Sequence, residues 1–307
     1  MGNEVRCMRA SGQSASAGAF LAQKYDADAG FRPGDSECHI VRTFAPPGGP
    51  DDEVEVSAVL STRAWLTGLW RADSGALFVT DSRGTLYVAR NGGTRDAADV
   101  TWDEKETDCT LWGTWGLAED RVWAWGRRSG TGTLFRWNGR AWSEVPAPDF
   151  PLDSLHGPSE RLLLGSGEGG RVARWDGGRW TTTQTPIEEM LVSVHVAGKD
   201  EYYAAGNMGT ILEGSDSGWA RIGKIPKTFQ GDVQAVAKWN GELWVAVSRL
   251  GLWKRTGKTN KFAAAKKALS AVSLEAREQL VVGYFNGIAS STDGVTFDAY
   301  GEGYITP

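Results

Sequence analysis

The chain has 307 residues, of which 40 are glycine and 15 are tryptophan, and its formal net charge is −5. A chain of this length buries roughly 75% of the surface of its unfolded state, so it is long enough to form a full core. The small negative charge argues against broad binding to nucleic acid, and no apolar run in the sequence approaches the roughly 18 residues of a membrane-spanning helix.

The N-terminal residues and the cysteines indicate the cellular compartment in which the protein is expected. Residues 1–14, MGNEVRCMRASGQS, lack the apolar centre of a signal peptide. The cysteines, Cys7, Cys38 and Cys109, are odd in number and do not form a dense framework, which favours reduced thiols in the cytoplasm. A Cys7–Cys38 disulfide is the alternative if the protein is exported.

The first 63 residues are the least regular part of the chain. Four segments there have the apolar character of strands: Glu4–Ala10, Ala19–Lys24, Cys38–Phe44 and Glu53–Leu60. Together they would form one four-stranded unit, with the turn-rich run 44–52, FAPPGGPDD, as a connector. The alternative is that these residues form an extension that closes a ring made by the rest of the chain.

From about residue 64 onward the chain repeats one pattern, which is clearest in residues 110–148. There we predict four strands, at Thr110–Gly116, Val122–Gly126, Thr133–Trp137 and Trp142–Val145. The dipeptide Asn138-Gly139 favours a tight hairpin between the third and fourth of these strands, because both residue types tolerate a positive φ.

The same succession of strand, glycine-containing turn and strand occurs in six repeats. The glycine before the third strand marks each of them, at Gly84, Gly132, Gly170, Gly209, Gly251 and Gly287. The steps between these glycines are 48, 38, 39, 42 and 36 residues. A period of roughly 40–50 residues with four strands per unit is typical of β-propeller blades. We therefore predict that residues 1–307 form a single all-β propeller domain, with six blades in residues 64–300 and a seventh in residues 1–63.

Several tryptophan- and glycine-containing motifs mark the repeat: Trp112-Gly113, Arg121–Gly126 (RVWAWG), Phe135–Gly139 (FRWNG) and Arg171–Trp180 (RVARWDGGRW). In these motifs the repeat resembles a family of tandem propeller repeats found in myxobacterial and related bacterial proteins. In the last repeat, Ser290–Phe297 (SSTDGVTF) resembles a degenerate Asp-box of sialidase-like repeats. The resemblance covers about residues 64–300 and implies the propeller fold. It implies no single activity, because members of the family are functionally diverse.

One stretch has helical character. Residues 260–277 are rich in alanine and lysine, which favour a helix. The repeat period instead places the first strand of the last blade at Ala268–Leu274. We follow the repeat and predict a short helical turn around Ala263–Lys267.

Two histidines fall on predicted innermost strands. His195 lies seven residues before Tyr202, as Trp115 lies seven before Val122, so His195 takes a position that holds tryptophan in another repeat. His156 lies near the same place with an offset of one residue. We interpret both as packed residues of the innermost strands. The alternative is that they approach the central channel and bind a metal, but the spacing of metal ligands is absent, so we predict no metal and no cofactor.

The tryptophans follow the repeat. Trp123 and Trp125 alternate along one strand and therefore point to the same face of its sheet. Packing between neighbouring blades requires this arrangement, so we expect most tryptophans to lie between blades. A sugar-binding surface would instead need exposed tryptophan faces.

The turns between the second and third strands project from one face of a propeller, and we predict that a partner protein binds there. Arginine clusters bind acidic groups, and arginine, tyrosine and methionine are frequent at the centres of interfaces. We expect at least one of the two adjacent aromatic residues of the last turn to be exposed. The predicted partner-binding residues are Arg83, Arg127, Arg128, Asn207, Arg249, Tyr284, Phe285 and Asn286.

The sequence thus favours a non-catalytic protein-interaction module: a scaffold, an assembly factor or an immunity-type inhibitor. We predict a monomeric propeller in the bacterial cytoplasm that binds another protein, not nucleic acid or a membrane. No catalytic residues are predicted, since neither a Ser–His–Asp arrangement nor the arginine motif of sialidases is legible. The alternative is a glycan-binding or sialidase-like glycan-processing propeller, which exposed tryptophans and an acidic pair in the channel would favour.

Overall fold

The computed structural model describes residues 3–26, 37–45, 54–225, 231–257 and 259–301. Within these ranges the chain forms 28 β-strands and three short 3-10 turns, the turns at Ala97–Asp99, Glu168–Gly170 and Asn207–Gly209. None of the described segments is a helix long and apolar enough to cross a lipid bilayer.

The strands follow one another in groups of four. In chain order they are β1 (Asn3–Gly12), β2 (Gly18–Asp26), β3 (Glu37–Phe44), β4 (Glu55–Thr62), β5 (Leu66–Arg71), β6 (Leu77–Asp81), β7 (Thr85–Ala89), β8 (Asp103–Glu106), β9 (Thr110–Ala118), β10 (Arg121–Arg128), β11 (Thr131–Trp137), β12 (Trp142–Val145), β13 (Leu152–Ser159), β14 (Leu162–Gly167), β15 (Arg171–Trp175), β16 (Trp180–Gln184), β17 (Leu191–Gly198), β18 (Glu201–Gly206), β19 (Thr210–Ser215), β20 (Gly218–Lys224), β21 (Val233–Trp239), β22 (Glu242–Val247), β23 (Gly251–Arg255), β24 (Phe262–Lys266), β25 (Ala271–Ala276), β26 (Leu280–Tyr284), β27 (Gly287–Ser291) and β28 (Asp298–Tyr300).

Each group of four consecutive strands forms one antiparallel sheet, and there are seven such sheets in the described residues. The first strands of all seven sheets line one central channel. The chain is therefore a seven-bladed β-propeller, and strands β1, β2, β3 and β4 form its first blade rather than an extension. The seven-bladed prediction is confirmed.

The apolar core is divided among the blade interfaces. Seven clusters of buried side chains occur in the described parts of the chain, and each contains residues of two consecutive blades, with blade 7 meeting blade 1. A single four-stranded sheet cannot bury both of its faces, so each blade depends on its two neighbours for burial.

Asparagine and aspartate organise the turns between third and fourth strands. In blade 3, Asn138 Oδ1 accepts hydrogen bonds from the backbone N–H groups of Arg140 and Ala141, both at 3.0 Å. Gly139 between them has φ of 89°, which glycine adopts without strain. In blade 7, Asp293 Oδ1 accepts hydrogen bonds from the backbone N–H groups of Val295 and Thr296 at 2.7 and 2.8 Å. The repeated turn thus has one physical basis in both blades.

The helical turn expected around Ala263–Lys267 is wrong. Ala263–Lys266 belong to the outermost strand β24, which pairs with β23 through partners such as Lys254 and Ala263, and Lys267 follows that strand in a turn. Ladder pairing to an existing sheet outweighs the modest helix propensity of alanine and lysine. The first strand of the last blade is β25, close to its predicted position.

The three cysteines are unpaired and buried. Cys7 lies in β1 and Cys38 in β3, and β2 lies between these two strands in the sheet. Two strand spacings, about 10 Å, exceed the Cα separation that a disulfide spans. The structure therefore does not contain the alternative Cys7–Cys38 disulfide.

The ring closes without a shared sheet. Blade 1 takes all four strands from the N-terminal part of the chain and blade 7 takes all four from the C-terminal part. Hydrogen bonds cross the seam from the backbone N–H groups of Cys7 to the Phe285 carbonyl (2.8 Å), Ala10 to Ser273 Oγ (3.0 Å) and Gly12 to Glu275 Oε2 (3.2 Å). Side chains and turns therefore hold this seam in place of strand pairing.

Candidate functional site

The predicted partner-binding residues lie at one end of the propeller, which we call the BC face. It is the end at which the second and third strands of each blade are joined and at which each innermost strand begins. Arg83 belongs to blade 2, Arg127 and Arg128 to blade 3, Asn207 to blade 5, Arg249 to blade 6, and Tyr284, Phe285 and Asn286 to blade 7.

The structure brings two of these residues together. Arg83 and Arg127 are both exposed and line one cleft of about 630 Å³ between blades 2 and 3. We call this the BC cleft; its other lining residues include Asp108 and Ser129. Neither arginine has an ion-pair partner among the described residues. The guanidinium of Arg127 lies 5.0 Å from the centre of the Trp112 ring, which orients it by a cation–π contact.

Arg128 differs from its neighbour because its charge is already paired. Its guanidinium lies 2.7 Å from Asp108 Oδ1 and donates to the two carboxylate oxygens of Glu144 at 3.1 and 3.0 Å. The hydrogen bonds to these carboxylates raise the pKa of Arg128, and Arg128 in turn lowers the pKa of Asp108. Two acidic partners leave Arg128 little attraction for a further anion, so its predicted binding role is weaker than that of Arg127.

Asn207 and Arg249 lie in the turns of blades 5 and 6, away from the BC cleft. Arg249 is exposed and has φ of 62°, so its turn projects the side chain outward. Asn207 is half-buried, and the next residue, Met208, is 47% exposed. The Met208 N–H donates to Asp232 Oδ1 at 3.3 Å, which fixes this turn to the start of blade 6.

The last predicted turn is part of the ring seam. Tyr284 and Phe285 are both half-buried, and Asn286 is exposed. The Phe285 ring lies 5.1 Å below the guanidinium of Arg6 in blade 1, and its carbonyl accepts the seam bond from Cys7. The expectation of an exposed aromatic residue here is wrong, because blade 1 covers this turn when the ring closes.

The central channel has a volume of about 710 Å³. Each innermost strand pairs with the second strand of its blade along one edge only, and its other edge, toward the channel, has no neighbouring strand. Serine side chains of the preceding blade accept hydrogen bonds from several backbone N–H groups of that free edge. Ser154 Oγ accepts from Val194 N at 3.2 Å, and Ser193 Oγ accepts from Val236 N at 3.1 Å. These bonds satisfy edge donors that would otherwise be unpaired, and they link blades 4, 5 and 6 around the channel.

His156 and His195 lie side by side on the channel wall, with ring centres 4.4 Å apart. The cross-strand pairs Trp115–Trp123 and His195–Tyr203 show that His195 takes the repeated tryptophan position. Both histidines lie on innermost strands, as predicted, and both also line the channel, as the alternative expected. No group of three or more potential metal ligands occurs in the part of the chain that the structure describes.

Both imidazoles are held neutral. His156 Nδ1 accepts a hydrogen bond from Val196 N at 3.0 Å, so the His156 proton resides on Nε2. Burial, with a smaller contribution from His195, lowers the pKa of His156 well below its ordinary value. Burial also lowers the pKa of His195 to about 4, although Glu201 acts in the opposite direction.

This neutral state predicts a dependence of stability on pH. The unfolded chain protonates His195 near pH 6.5, whereas the folded chain resists protonation down to about pH 4. The contribution of His195 to the free energy of unfolding is therefore present above pH 6.5 and is lost as the pH falls toward 4. We expect urea unfolding to show the wild type losing more stability than His195→Gln between pH 7 and pH 4.5. Parallel losses in the two proteins would contradict this prediction.

Asp153 is a channel residue that sequence reasoning missed. It lies near the start of β13, at the BC-face end of the channel, and is half-buried. Burial, together with the charge of Glu168, raises the pKa of Asp153 to about 7. Its Oδ2 atom is buried without a hydrogen-bond partner among the described residues. A signal was available: the corresponding positions in other blades hold uncharged residues such as Thr67, Val192 and Gln234.

Comparisons with known proteins agree with the fold. No protein-family model matches the sequence. The immune protein Tsi7 of Pseudomonas aeruginosa is 27% identical over 95 residues, which is 31% of this chain and 30% of that protein. The match therefore spans less than a third of either protein.

Solved structures match over nearly the whole chain. The WD40 propeller domain of Doa1 aligns with a TM-score of 0.64 at 11% identity, covering 100% of this chain and 97% of that one. Sqt1 of Saccharomyces cerevisiae gives 0.62 at 10% identity, covering 96% and 85%. YCF48 bound to a D1 peptide gives 0.60 at 11% identity, covering 93% of each chain. The chain shares the propeller fold with these proteins.

Proposed function

We propose that this chain is a non-catalytic protein-interaction module that binds a partner protein through the BC face. The observation that carries the proposal is the BC cleft. Two exposed arginines of adjacent blades, Arg83 and Arg127, line it and lack ion-pair partners among the described residues. A guanidinium offers donors in a fixed planar fork that fits a carboxylate. The cleft therefore suits an acidic side chain of the partner.

Among the interaction roles that the sequence allows, an immunity-type inhibitor has the most support. The curated protein that matches part of the chain is named an immune protein, and an inhibitor of this kind binds another protein without chemistry of its own. A scaffold and an assembly factor are the other roles. The proposal places the protein in the cytoplasm of a bacterium, among the myxobacterial-type propeller repeats that its motifs resemble, with the Asp-box-like turn of blade 7 in a structural role.

The glycan-binding alternative lacks the surface that it requires. All 15 tryptophans lie in described segments, and each is buried or half-buried. Most belong to clusters between blades, as Trp123 and Trp125 do. A sugar ring stacks on an open aromatic face, and these indoles present their faces to neighbouring blades instead.

Charge reversal in the BC cleft tests the proposed function. We expect the tagged wild-type protein to co-purify from its own cells with one stoichiometric partner. The variant Arg83→Glu/Arg127→Glu should recover at least about tenfold less of it, because two attractive contacts become repulsive. If the partner is a toxin, co-expression of the wild type should also restore growth, and co-expression of the variant should not.

The matched control is Arg140→Glu/Arg161→Glu, which reverses two exposed arginines at the opposite end of the propeller. It changes the net charge by the same amount and should recover the partner at the wild-type level. Equal recovery by the cleft variant, or the absence of any partner in the wild-type sample, would overturn the proposal.

A further inference from the structure

The central channel carries acidic charge that is only partly neutralised. Five acidic and two basic residues line it: Asp73, Glu119, Asp153, Glu275 and Glu278, and Arg9 and Arg277. Arg277 is paired with Asp73 and Glu275 at 2.6 and 2.7 Å. Asp153 has no ion-pair partner among the described residues. Both channel histidines are neutral, and burial raises the pKa of Asp153 to about 7, so near neutral pH the lining carries two positive charges against four to five negative ones.

Asp153 lies toward the end of the channel that opens on the BC face. Leu152, the preceding residue, pairs with Gly167, and Glu168 of the adjoining turn acts on Asp153 electrostatically. Glu188 is exposed in the connection that leads from blade 4 to blade 5 at the same end. Arg171 is the nearby cation, but its guanidinium lies over the Phe150 ring at 4.6 Å and its Nε donates to the Glu168 carbonyl at 3.1 Å. The approach to Asp153 from the BC face is therefore acidic.

His195 supplies a second, independent observation. His195 is only 7% exposed and lines the channel, and neither ring nitrogen forms a hydrogen bond within the described residues. These nitrogens are not among the fully buried polar atoms that lack a partner, so they are accessible from the channel. A neutral imidazole has one acceptor nitrogen, so His195 offers an unused acceptor to whatever occupies the channel.

We propose that the central channel binds a cationic group, a guanidinium or an ammonium, which enters from the BC face, forms an ion pair with Asp153 and donates a hydrogen bond to the imidazole of His195. The inference rests on the proposed function in one respect: we assign the cation to a basic side chain of the bound partner protein. The volume of the channel falls in the range of ordinary ligand sites, roughly 300–1,000 Å³.

The chemistry of the lining selects a cation over an anion. An anion would meet the carboxylate of Asp153 and imidazoles that burial keeps uncharged. A cation meets a carboxylate whose charge it stabilises and an acceptor nitrogen that lacks a donor. The partner would then present an acidic side chain to the BC cleft and a basic one to the channel, and this pairing of opposite charges would fix its orientation on the face.

Two probes test the channel without the partner. N-acetyl-arginine amide stands for a basic side chain, and spermidine stands for a free polyamine. Each is titrated into the intact protein while the indole and imidazole signals of Trp115, His156 and His195 are followed by NMR. We expect saturable shifts confined to these residues, with a dissociation constant on the order of 1 mM for the arginine probe. Asp153→Asn should weaken binding at least about tenfold, whereas Glu104→Gln, at an exposed carboxylate on the outermost strand β8, should leave it within about twofold.

Each outcome decides the proposal. Saturable binding of the arginine probe, alone or with spermidine, supports a basic side chain; binding of spermidine alone supports the cation site but assigns it to a free amine. Shifts that do not saturate, or that are equal in Asp153→Asn, overturn the site. If Asp153→Asn fails to fold, His195→Phe takes its place and should weaken binding in the same direction. If the probes do not bind the channel but the Arg83→Glu/Arg127→Glu variant still loses the partner protein, the proposed function stands and only the channel site is overturned.

Discussion

Replacing Arg277 by alanine is expected to lower the free energy of unfolding by about 3 kcal/mol. The guanidinium donates to Asp73 Oδ1 at 2.6 Å, to the Arg71 carbonyl at 2.6 Å and to Glu275 Oε1 at 2.7 Å. It also lies 5.6 Å from the centre of the Trp70 ring. The Arg277 side chain is 17% exposed and that of Glu275 18%, so their removal from water is nearly complete, while Asp73 is 76% exposed.

The expected loss is large because of where these contacts lie. Arg277 directly follows β25, the innermost strand of blade 7, and Asp73 and Arg71 belong to blade 2, so the side chain spans the inner end of blade 1. Its partner Glu275 also accepts from the Gly12 N–H of blade 1. Since blades 1 and 7 share no sheet, this cluster replaces the strand pairing that commonly seals a propeller.

Urea unfolding and thermal melting measure the effect. A loss of about 3 kcal/mol corresponds to a fall in Tm of about 5 °C for a domain of this size. Arg121→Ala is the control, because Arg121 forms an exposed pair with Asp120, and such pairs contribute roughly 0–1 kcal/mol. If Arg277→Ala and Arg121→Ala have the same Tm, the seam does not depend on Arg277.

The propeller could be predicted from the sequence because its signals are local. A hairpin turn such as Asn138-Gly139 depends on residues that are adjacent in the chain, and its hydrogen bonds stay within the turn. Blade boundaries repeat because each blade has the same burial requirement. The seam could not be predicted in this way: Arg277 and Asp73 are 204 positions apart, and no repeat relates them.

The candidate site shows the same division. The repeat period placed Arg83 and Arg127 in equivalent turns, and the structure places them on one cleft. The repeat period could not show that Arg128, the next residue along the chain, is already paired with Asp108 and Glu144. The repeat does mark Asp153 as a carboxylate at a position that holds uncharged residues in other blades. It could not predict the altered pKa of Asp153, which follows from burial in a channel that exists only after seven blades have closed. Composition and period therefore predict where turns project but not which charges remain available.

Replacing Trp125 by alanine is expected to cost about 4 kcal/mol of unfolding free energy. Trp125 is 1% exposed, which makes it one of the largest fully buried side chains in the described structure. Its ring fills the space above Gly113 on the neighbouring strand: a Cβ built on Gly113 would lie 2.3 Å from Trp125 Cζ2. The absence of a side chain at Gly113, the glycine of the Trp-Gly motif, thus leaves the space that the Trp125 indole fills. Alanine at position 125 would leave a cavity there, between blades 3 and 4.

A double-mutant cycle with Gly113 gives this prediction its sharpest test. Gly113→Ala alone should cost about 2 kcal/mol, because the added methyl group clashes with the indole. In the Trp125→Ala background the clash is absent, so the same change should cost less than about 1 kcal/mol or even stabilise the protein by filling the cavity. Trp180→Ala, at a half-buried residue on the outermost strand of blade 4, serves as the control and should cost less than Trp125→Ala. Additive effects of the Gly113 and Trp125 changes would show that the two residues do not share this space.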